Sequence, residues 1–412
     1  MTTNSLNKIV ECEVCGNKTL LSVLDLGLHP MCDDLVPVGD DRVCNEFPIE
    51  IMYCEECDTA HQHYQVPKQQ LFPTSYHYRS RFTADVLNGM ANLVESCEER
   101  FGLLKNKKVL DIGCNDGSLL DFFREKGAIT YGVEPTGACS DAEKKGHITY
   151  NAFIDEELAN DFVKENGHPD YITFTNVFAH IENLKQLVRA LKKIIAPSTI
   201  IVIENHYLGS VLDGYQFDTF YHEHPRTYSF TSFEHISKSL GISLLDVEFP
   251  SRYGGNIRVY MGAGSNVLLK NAEREKIKER ESQFLENFHS MKLGINKWSI
   301  ETKKHIQNLI QTNGKLRAKA FPGRAAILIK MLGLNEDSIS AVYEKPGSLK
   351  IGHYLPGTRI PIDSDDELFA LEDKSAPILN LAWHISKEIN KYMSEHGYVG
   401  PVIPILQSEF FK

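Results

Sequence analysis

Apolar and polar positions change rhythm along the chain. Between about residues 75 and 265, short apolar runs alternate with glycine-containing turns and amphipathic stretches, the pattern of an α/β domain. It predicts strands at 107–112, 129–133, 171–174 and 199–203, with helices at 119–126 and 184–195 between them. Two further strands, 243–247 and 257–260, flank the turn-rich segment 250–256 and predict a hairpin closing a mostly parallel sheet. Before this region the chain has only short β-like stretches such as 48–53. After it, residues 270–312 are highly charged, lack proline, and space Phe284, Leu285, Phe288, Met291 and Ile295 as one or two connecting helices would. Alternation returns over 315–412, predicting strands near 325–329, 340–343 and 402–406 and a helix over 376–396. The expected organisation is a small N-terminal domain (1–72), a central α/β domain (73–265) and a C-terminal α/β domain with connecting helices (266–412).

Charge and cysteine usage narrow the chemistry. The 412 residues carry 44 Lys and Arg against 55 Asp and Glu, a net charge of −11. A polyanion such as a nucleic acid is therefore not the expected partner, although a local basic pocket could still take one phosphate group. No apolar run of about 18 residues is present and the N-terminus has no charged start followed by an apolar core, so neither a membrane span nor secretion is expected. Four of the nine cysteines form two C-x2-C pairs, Cys12 with Cys15 and Cys54 with Cys57. Each pair turns two thiolates to one side of a knuckle, and four of them would fill the tetrahedral shell of a structural zinc ion. Redox-active or simply buried cysteines are the competing reading; a reducing, cytoplasmic setting suits either.

The segment 109–120, Val-Leu-Asp-Ile-Gly-Cys-Asn-Asp-Gly-Ser-Leu-Leu, reads as a strand running through a tight loop into a helix. In a doubly wound sheet that is the cofactor position. Its pattern is D-x-G-x-x-x-G, with an acid at the loop mouth where a dinucleotide's pyrophosphate would be repelled and an ammonium welcomed. The methionine part of S-adenosylmethionine carries such an ammonium beside a cationic sulfonium. The next strand ends in Gly-Val-Glu134-Pro135, where Glu134 could accept bonds from both ribose hydroxyls. Asp111, Gly113, Asn115, Asp116, Gly117, Glu134 and Pro135 are the candidate cofactor residues, and Asn176, after the third strand, could hold the methionyl moiety. Asp111, Gly113, Asp116 and Glu134 together resemble the class I methyltransferase signature. A cofactor-free turn and an NAD site are the alternatives.

Residues 217–229, Phe-Asp-Thr-Phe-Tyr-His-Glu-His-Pro-Arg-Thr-Tyr-Ser, pack titratable groups densely. His222 and His224 could share a metal, the packet could be a structural hydrogen-bonded network, or it could do general acid/base work. Together with the C-x2-C pairs, V-L-D-I-G-C-N-D-G, N-V-F-A-H-I at 176–181 and K-I-G-H-Y-L-P-G-T-R-I-P-I at 350–362, this segment resembles the sugar C-methyltransferase family over essentially the whole chain. That resemblance implies a zinc module, a central class I methyltransferase domain of Rossmann-like fold and a second Rossmann-like domain at the C-terminus. It implies methyl transfer from S-adenosylmethionine to C-3 of a nucleotide-linked 4-keto-6-deoxy sugar held at the domain junction, through an enolate. The nucleotide would be dTDP, with GDP and CDP as alternatives, and the protein is expected to be a monomer. His224 is then the candidate base with His180 as fallback, Glu223 and Tyr221 position the sugar or polarise its carbonyl, and Tyr76 or Tyr78 reaches the sugar. Arg79 or Arg81 could meet the diphosphate. The chain departs from the family pattern at Tyr253, where a histidine often stands, and at 320–324 and 343–348. An O- or N-methyltransferase of a sugar nucleotide and a non-catalytic zinc-containing binding protein are the other readings.

Overall fold

A computed structural model describes residues 6–73, 78–82, 84–264, 267–407 and 411, without the side chains of Phe82 and Tyr253. The chain forms two compact units: one from residues up to 21, 52–210 and 223–284, the other from 22–51, 211–222 and 285–412.

The first unit is built on a seven-stranded sheet. Its strands are β1 (Lys108–Ile112), β2 (Ile129–Val133), β3 (Ile148–Tyr150), β4 (Tyr171–Thr175), β5 (Ile200–His206), β6 (Ser243–Glu248) and β7 (Asn256–Gly262). They lie in the order β6-β7-β5-β4-β1-β2-β3. All run parallel except β7, which is antiparallel to both neighbours, so β6 and β7 are the expected closing hairpin. Strand order reverses beside β1, which puts the loop after β1 at the topological switch point.

One face of the sheet packs on α1 (Ala84–Phe101) and α2 (Ser118–Glu125), where Leu93, Val94, Cys97, Leu119, Leu120 and Phe123 meet Val109, Tyr171, Val202 and Tyr260 in one buried cluster. The remaining helices of this unit are α3 (Cys139–Lys144), α4 (Glu156–Asn166), α5 (Leu184–Ile194), α6 (Phe230–Leu240) and α7 (Asn271–Glu281). Leu184, Leu187, Ala190, Leu191 and Ile194 give α5 its buried stripe at helical spacing. The first turn of α6 is held by a Ser229–Ser232 capping box and by the buried Glu281 carboxylate, which accepts from Phe230 N (2.7 Å), Thr231 N (3.0 Å) and Tyr207 Oη (2.9 Å). Gly89 in α1 has a different use. A Cβ there would lie 1.7 Å from Arg252 Nη1, and the guanidinium uses that space to donate to Val86 O at 3.0 Å.

The second unit holds the long helix α8 (Phe284–Asn313) and a five-stranded, all-parallel sheet of β8 (Leu316–Lys319), β9 (Ile339–Glu344), β10 (Ile362–Ser364), β11 (Ile378–Asn380) and β12 (Val402–Pro404). The order β10-β9-β8-β11-β12 again reverses beside its first strand, the Rossmann-like topology expected for the C-terminal part.

Two expectations fail in this unit. The run 325–329 is helix α9 (Ala325–Leu332), not a strand: it follows a Pro-Gly turn, every residue from Ala325 to Ile329 is buried, and apolar runs of this kind do not reveal their period. The expected helix over 376–396 is β11 followed, after a short 3-10 turn, by α10 (Ser386–Glu395). Three buried residues after a proline sufficed for a central strand.

Candidate active site

Both cysteine pairs close on one point. The four sulfurs lie within 4.8 Å of one another, with Cys12–Cys57 at 3.4 Å and Cys15–Cys54 at 3.6 Å. Tetrahedral zinc with bonds of about 2.3 Å needs S–S edges of about 3.8 Å, so the donor set fits the ion. Gly16, at φ +80°, lets its N–H turn back to Cys12 O (2.9 Å), while Cys15 N and Asn17 Nδ2 donate to Cys12 Sγ and Cys54 Sγ at 3.5 and 3.6 Å, the outer bonds thiolate ligands call for. This knuckle also braces the segment that carries His224. Glu13, between the first two ligands, pairs with the fully buried Arg226, and its carboxyl falls to about 2 because Arg226 and His61 overcome the opposing effect of burial. Arg226 and Thr227 pair antiparallel with His61 and Ala60, directly after Cys57.

The loop after β1 leaves a carboxylate with open acceptor positions at the switch point. Gly113 (φ +77°) and Gly117 (φ +75°) turn the chain, and a Cβ on Gly113 would come within 2.5 Å of Val177 Cγ2. Glu134, at the end of β2, accepts Asn115 N on one carboxylate oxygen (3.0 Å) and Thr136 N on the other (2.9 Å). Each oxygen keeps an acceptor position, which suits a pair of ribose hydroxyls. Asp111 is buried and accepts from Thr173 Oγ1 at 2.7 Å. Burial, aided by the Glu134 charge and opposed by the threonine bond, lifts its pKa from 3.8 to about 7, the state in which a nearby ammonium has most to offer. Asp116 is spent on the loop itself, accepting from Ser118 Oγ (2.6 Å), Ser118 N (3.2 Å) and Arg81 N (3.1 Å). Pro135 is half-buried behind Glu134. Asn176 takes a left-handed conformation (φ +55°) after β4, with its N–H on Glu204 O (2.7 Å) and its Oδ1 3.4 Å from Asn256 Nδ2. Asn256 and two arginines, Arg252 and Arg258, hold the fully buried Glu204.

At the same strand ends three histidines gather. The His224 ring centroid is 4.9 Å from that of His180 and 5.5 Å from that of His206. His180 Nδ1 is 2.6 Å from the Glu223 carbonyl; because a carbonyl only accepts, Nδ1 carries the hydrogen and the neutral ring has its lone pair on Nε2. Burial lowers the His180 pKa against the pull of the Glu223 and Asn176 carbonyls, favouring the neutral form. His224 is buried at 5% exposure and Glu223 at 6%. His222 spends Nε2 on Phe47 O (3.1 Å), and burial lowers its pKa to about 4. Among the described residues, the four cysteines are the only group of three or more His, Cys, Asp or Glu placed to hold a metal ion.

Tyr221 is half-buried and belongs to the second unit, Tyr78 is 43% exposed, and Tyr76 lies outside the described residues. Arg79 and Arg81, candidates for a diphosphate, are both paired with Asp141, at 3.0 and 2.9 Å. His206 and Thr173 belong to the site but were not singled out from sequence. His206 could have been found as the last residue of a strand whose carboxyl end faces the switch point; Thr173 carries no such mark.

Three family models match successive stretches: a zinc binding domain over 12–72, a methyltransferase domain over 77–247 and a C-methyltransferase C-terminal domain over 251–403. The chain is 26% identical over 387 residues to the C-methyltransferase NovU of Streptomyces niveus, covering 92% of this chain and 91% of that one. The matches fit the sugar C-methyltransferase family. A shorter likeness, 29% over 107 residues, to the ubiquinone biosynthesis O-methyltransferase of Acinetobacter baumannii strain AYE covers 24% of this chain and 44% of that protein. Among solved structures, an S-adenosylmethionine-dependent methyltransferase from Clostridium acetobutylicum is similar at 16% identity and a TM-score of 0.35, over 43% of this chain and 92% of its own. The protein is an S-adenosylmethionine-dependent C-methyltransferase whose four-cysteine cluster fits a structural zinc ion. Among the described residues no helix is long and apolar enough to cross a membrane.

Proposed function

We propose that the protein methylates C-3 of a nucleotide-diphosphate-linked 4-keto-6-deoxy sugar, with dTDP as the first nucleotide to test and GDP and CDP as alternatives, acting as a cytoplasmic monomer. The observation that carries this reading is the cluster of buried His224 with the half-buried His180 and His206 near the carboxyl ends of β4 and β5, along the same sheet edge as Glu134. S-adenosylmethionine, when bound, supplies an electrophilic methyl group. Asp111 faces its ammonium, Glu134 its ribose and Asn176 its methionyl moiety, with Gly113 leaving room for the chain to approach.

Methylation at carbon needs a carbanion equivalent, which the adjacent ketone makes accessible as an enolate. His224 takes the C-3 proton, the C–H electron pair moves into the ring as an enolate, and Tyr221 with Glu223 orients the sugar and polarises its carbonyl. An imidazole can take a ketone α-proton because its ordinary pKa lies near neutral pH, and it becomes a cation as the enolate charge develops. One of Tyr76 and Tyr78 reaches the sugar.

Incubation with isotopically labelled methyl donor and a panel of dTDP-, GDP- and CDP-linked 4-keto sugars should place label on carbon, with the 4-keto group required. His224→Ala should lower the rate by roughly 10²–10⁴ and abolish solvent deuterium exchange at C-3. Label on oxygen or nitrogen, or turnover of substrates lacking the ketone, would overturn the assignment; exchange retained in His224→Ala would shift the base to His180.

A further inference from the structure

The segment Tyr78–Arg81 is tied to the cofactor loop by a ladder of bonds whose anchor is Asp141, on α3. Asn115 bonds the segment on both sides of its carboxamide, Nδ2 donating to Tyr78 O at 3.2 Å and Oδ1 accepting from Ser80 N at 3.1 Å. Asp116 accepts from Arg81 N at 3.1 Å and from Arg81 Nη1 at 3.4 Å. Asp141 then takes both arginines on one carboxylate oxygen, Arg79 Nε at 3.0 Å and Arg81 Nη1 at 2.9 Å. Asn115 is itself left-handed (φ +50°), and its N–H is one of the two backbone donors that fix the Glu134 carboxylate.

A left-handed residue other than glycine is disfavoured, and asparagine is tolerated there when its side chain is bonded locally. Here the bonding partner is a segment more than thirty positions away in sequence, and the segment is in turn held by a charge on the helix after Glu134. Both of its arginines are directed to Asp141, so neither presents an unpaired cation to a diphosphate.

We propose that Asp141 is a positioning residue for the cofactor: by holding Arg79 and Arg81 it fixes Asn115, and Asn115 fixes the carboxylate of Glu134 in the orientation that reads the ribose. Asp141 acts through two intermediaries and touches no ligand. The proposal rests on Glu134 being the ribose acceptor, and the experiment separates the two.

The test is titration calorimetry on the full-length, zinc-loaded protein, measuring S-adenosylhomocysteine and its 2′-deoxyribose analogue. The native protein should prefer the ribose form; Glu134→Gln should remove that preference. Asp141→Asn should weaken S-adenosylhomocysteine by about tenfold and shrink the ribose preference at least threefold, because a misaligned carboxylate loses the hydroxyl bonds first. Arg79→Ala should act in the same direction, and combining it with Asp141→Asn should add little. If Asp141→Asn does not fold, judged by zinc content and thermal melting, Arg79→Ala carries the same test. Full ribose preference in the folded variants, with that preference lost in Glu134→Gln, overturns the proposal alone. A preference that survives Glu134→Gln overturns the ribose assignment and the proposal with it.

Discussion

The two sheets share the order of five adjacent parallel strands and part company at their switch points. After β1 the turn is made by glycine, and the carboxylate at the end of the next strand is satisfied by backbone N–H groups, which leave it acceptor positions for a ligand. After β8 the turn is made by Ala320 at φ +61°; Glu344, at the end of β9, accepts Phe321 N at 2.6 Å much as Glu134 accepts Asn115 N, but two further carboxylates of this unit, Asp365 and Asp218, are matched by cations. Lys319 meets Asp365 at 2.9 Å with both about 1% exposed, and Arg324 meets Asp218 at 3.2 Å while stacking 5.3 Å from the Trp383 ring centre. Trp383 Nε1 adds a bond to Asp218 at 2.9 Å. Topology offers the same crevice twice, with a backbone-bonded carboxylate at each strand end; what differs is the turn, glycine in one and alanine in the other, and the buried Lys319–Asp365 pair at the last residue of β8.

The largest effect should come from breaking the second sheet's pairing. Lys319→Met leaves Asp365 buried without its cation and should cost about 3–5 kcal/mol in chemical denaturation, with S-adenosylmethionine affinity unchanged in the folded fraction. A loss of cofactor affinity instead of stability would mean that the second sheet is not the structural counterpart described.

A pH experiment probes the first sheet. Asp111 titrates near 3.8 when unfolded and about 7 when folded, so the folded protein retains a proton the unfolded chain has lost. Its contribution to stability therefore falls as pH rises from about 4 to about 7. Asp111→Asn has no such titration, and its stability relative to the native protein should rise by on the order of 2–4 kcal/mol between pH 4 and pH 8. A constant difference would show that Asp111 ionises normally and has no special claim on an ammonium.

The turns themselves give the sharpest and smallest contrast. Gly113→Ala adds a Cβ 2.5 Å from Val177 Cγ2 at positive φ and should cost about 2–3 kcal/mol together with cofactor affinity. Ala320→Gly relieves the same kind of backbone strain and should stabilise the protein by about 0.5 kcal/mol, the relief slightly exceeding the added freedom of the unfolded chain. Thermal melts of the two variants should move in opposite directions.

What could be read from sequence follows from how local each feature is. Asp111, Gly113 and Glu134 were legible because strand, turn and acid lie within one β-α-β stretch, and the zinc site because its ligands come in adjacent pairs. Asp116 matched the same signature, yet its carboxylate serves Ser118 and Arg81, a distinction only the folded loop reveals. The Glu13–Arg226 pair, the Asp141 anchor and the Glu204 network join residues dozens to hundreds of positions apart, and no periodicity records them. In the C-terminal sheet, β8 was missed because Arg317 and Lys319 interrupt its apolar run, although Lys319 is buried by its ion pair. Helix α9 reads as a strand in sequence because burial on all sides erases the amphipathic period.

The crossing of Arg252 over Gly89 ties together two positions that are 163 apart in sequence. An alanine at 89 would push the Arg252 guanidinium off Val86 O, so it should cost stability while arginine occupies 252 and less once that side chain is shortened. The two positions should therefore covary among relatives: chains with a larger residue at the first should lack arginine at the second, and those that keep the arginine should keep glycine. An alanine introduced alone at 89 should be rescued by shortening residue 252, provided that Glu204 is neutralised in the same step.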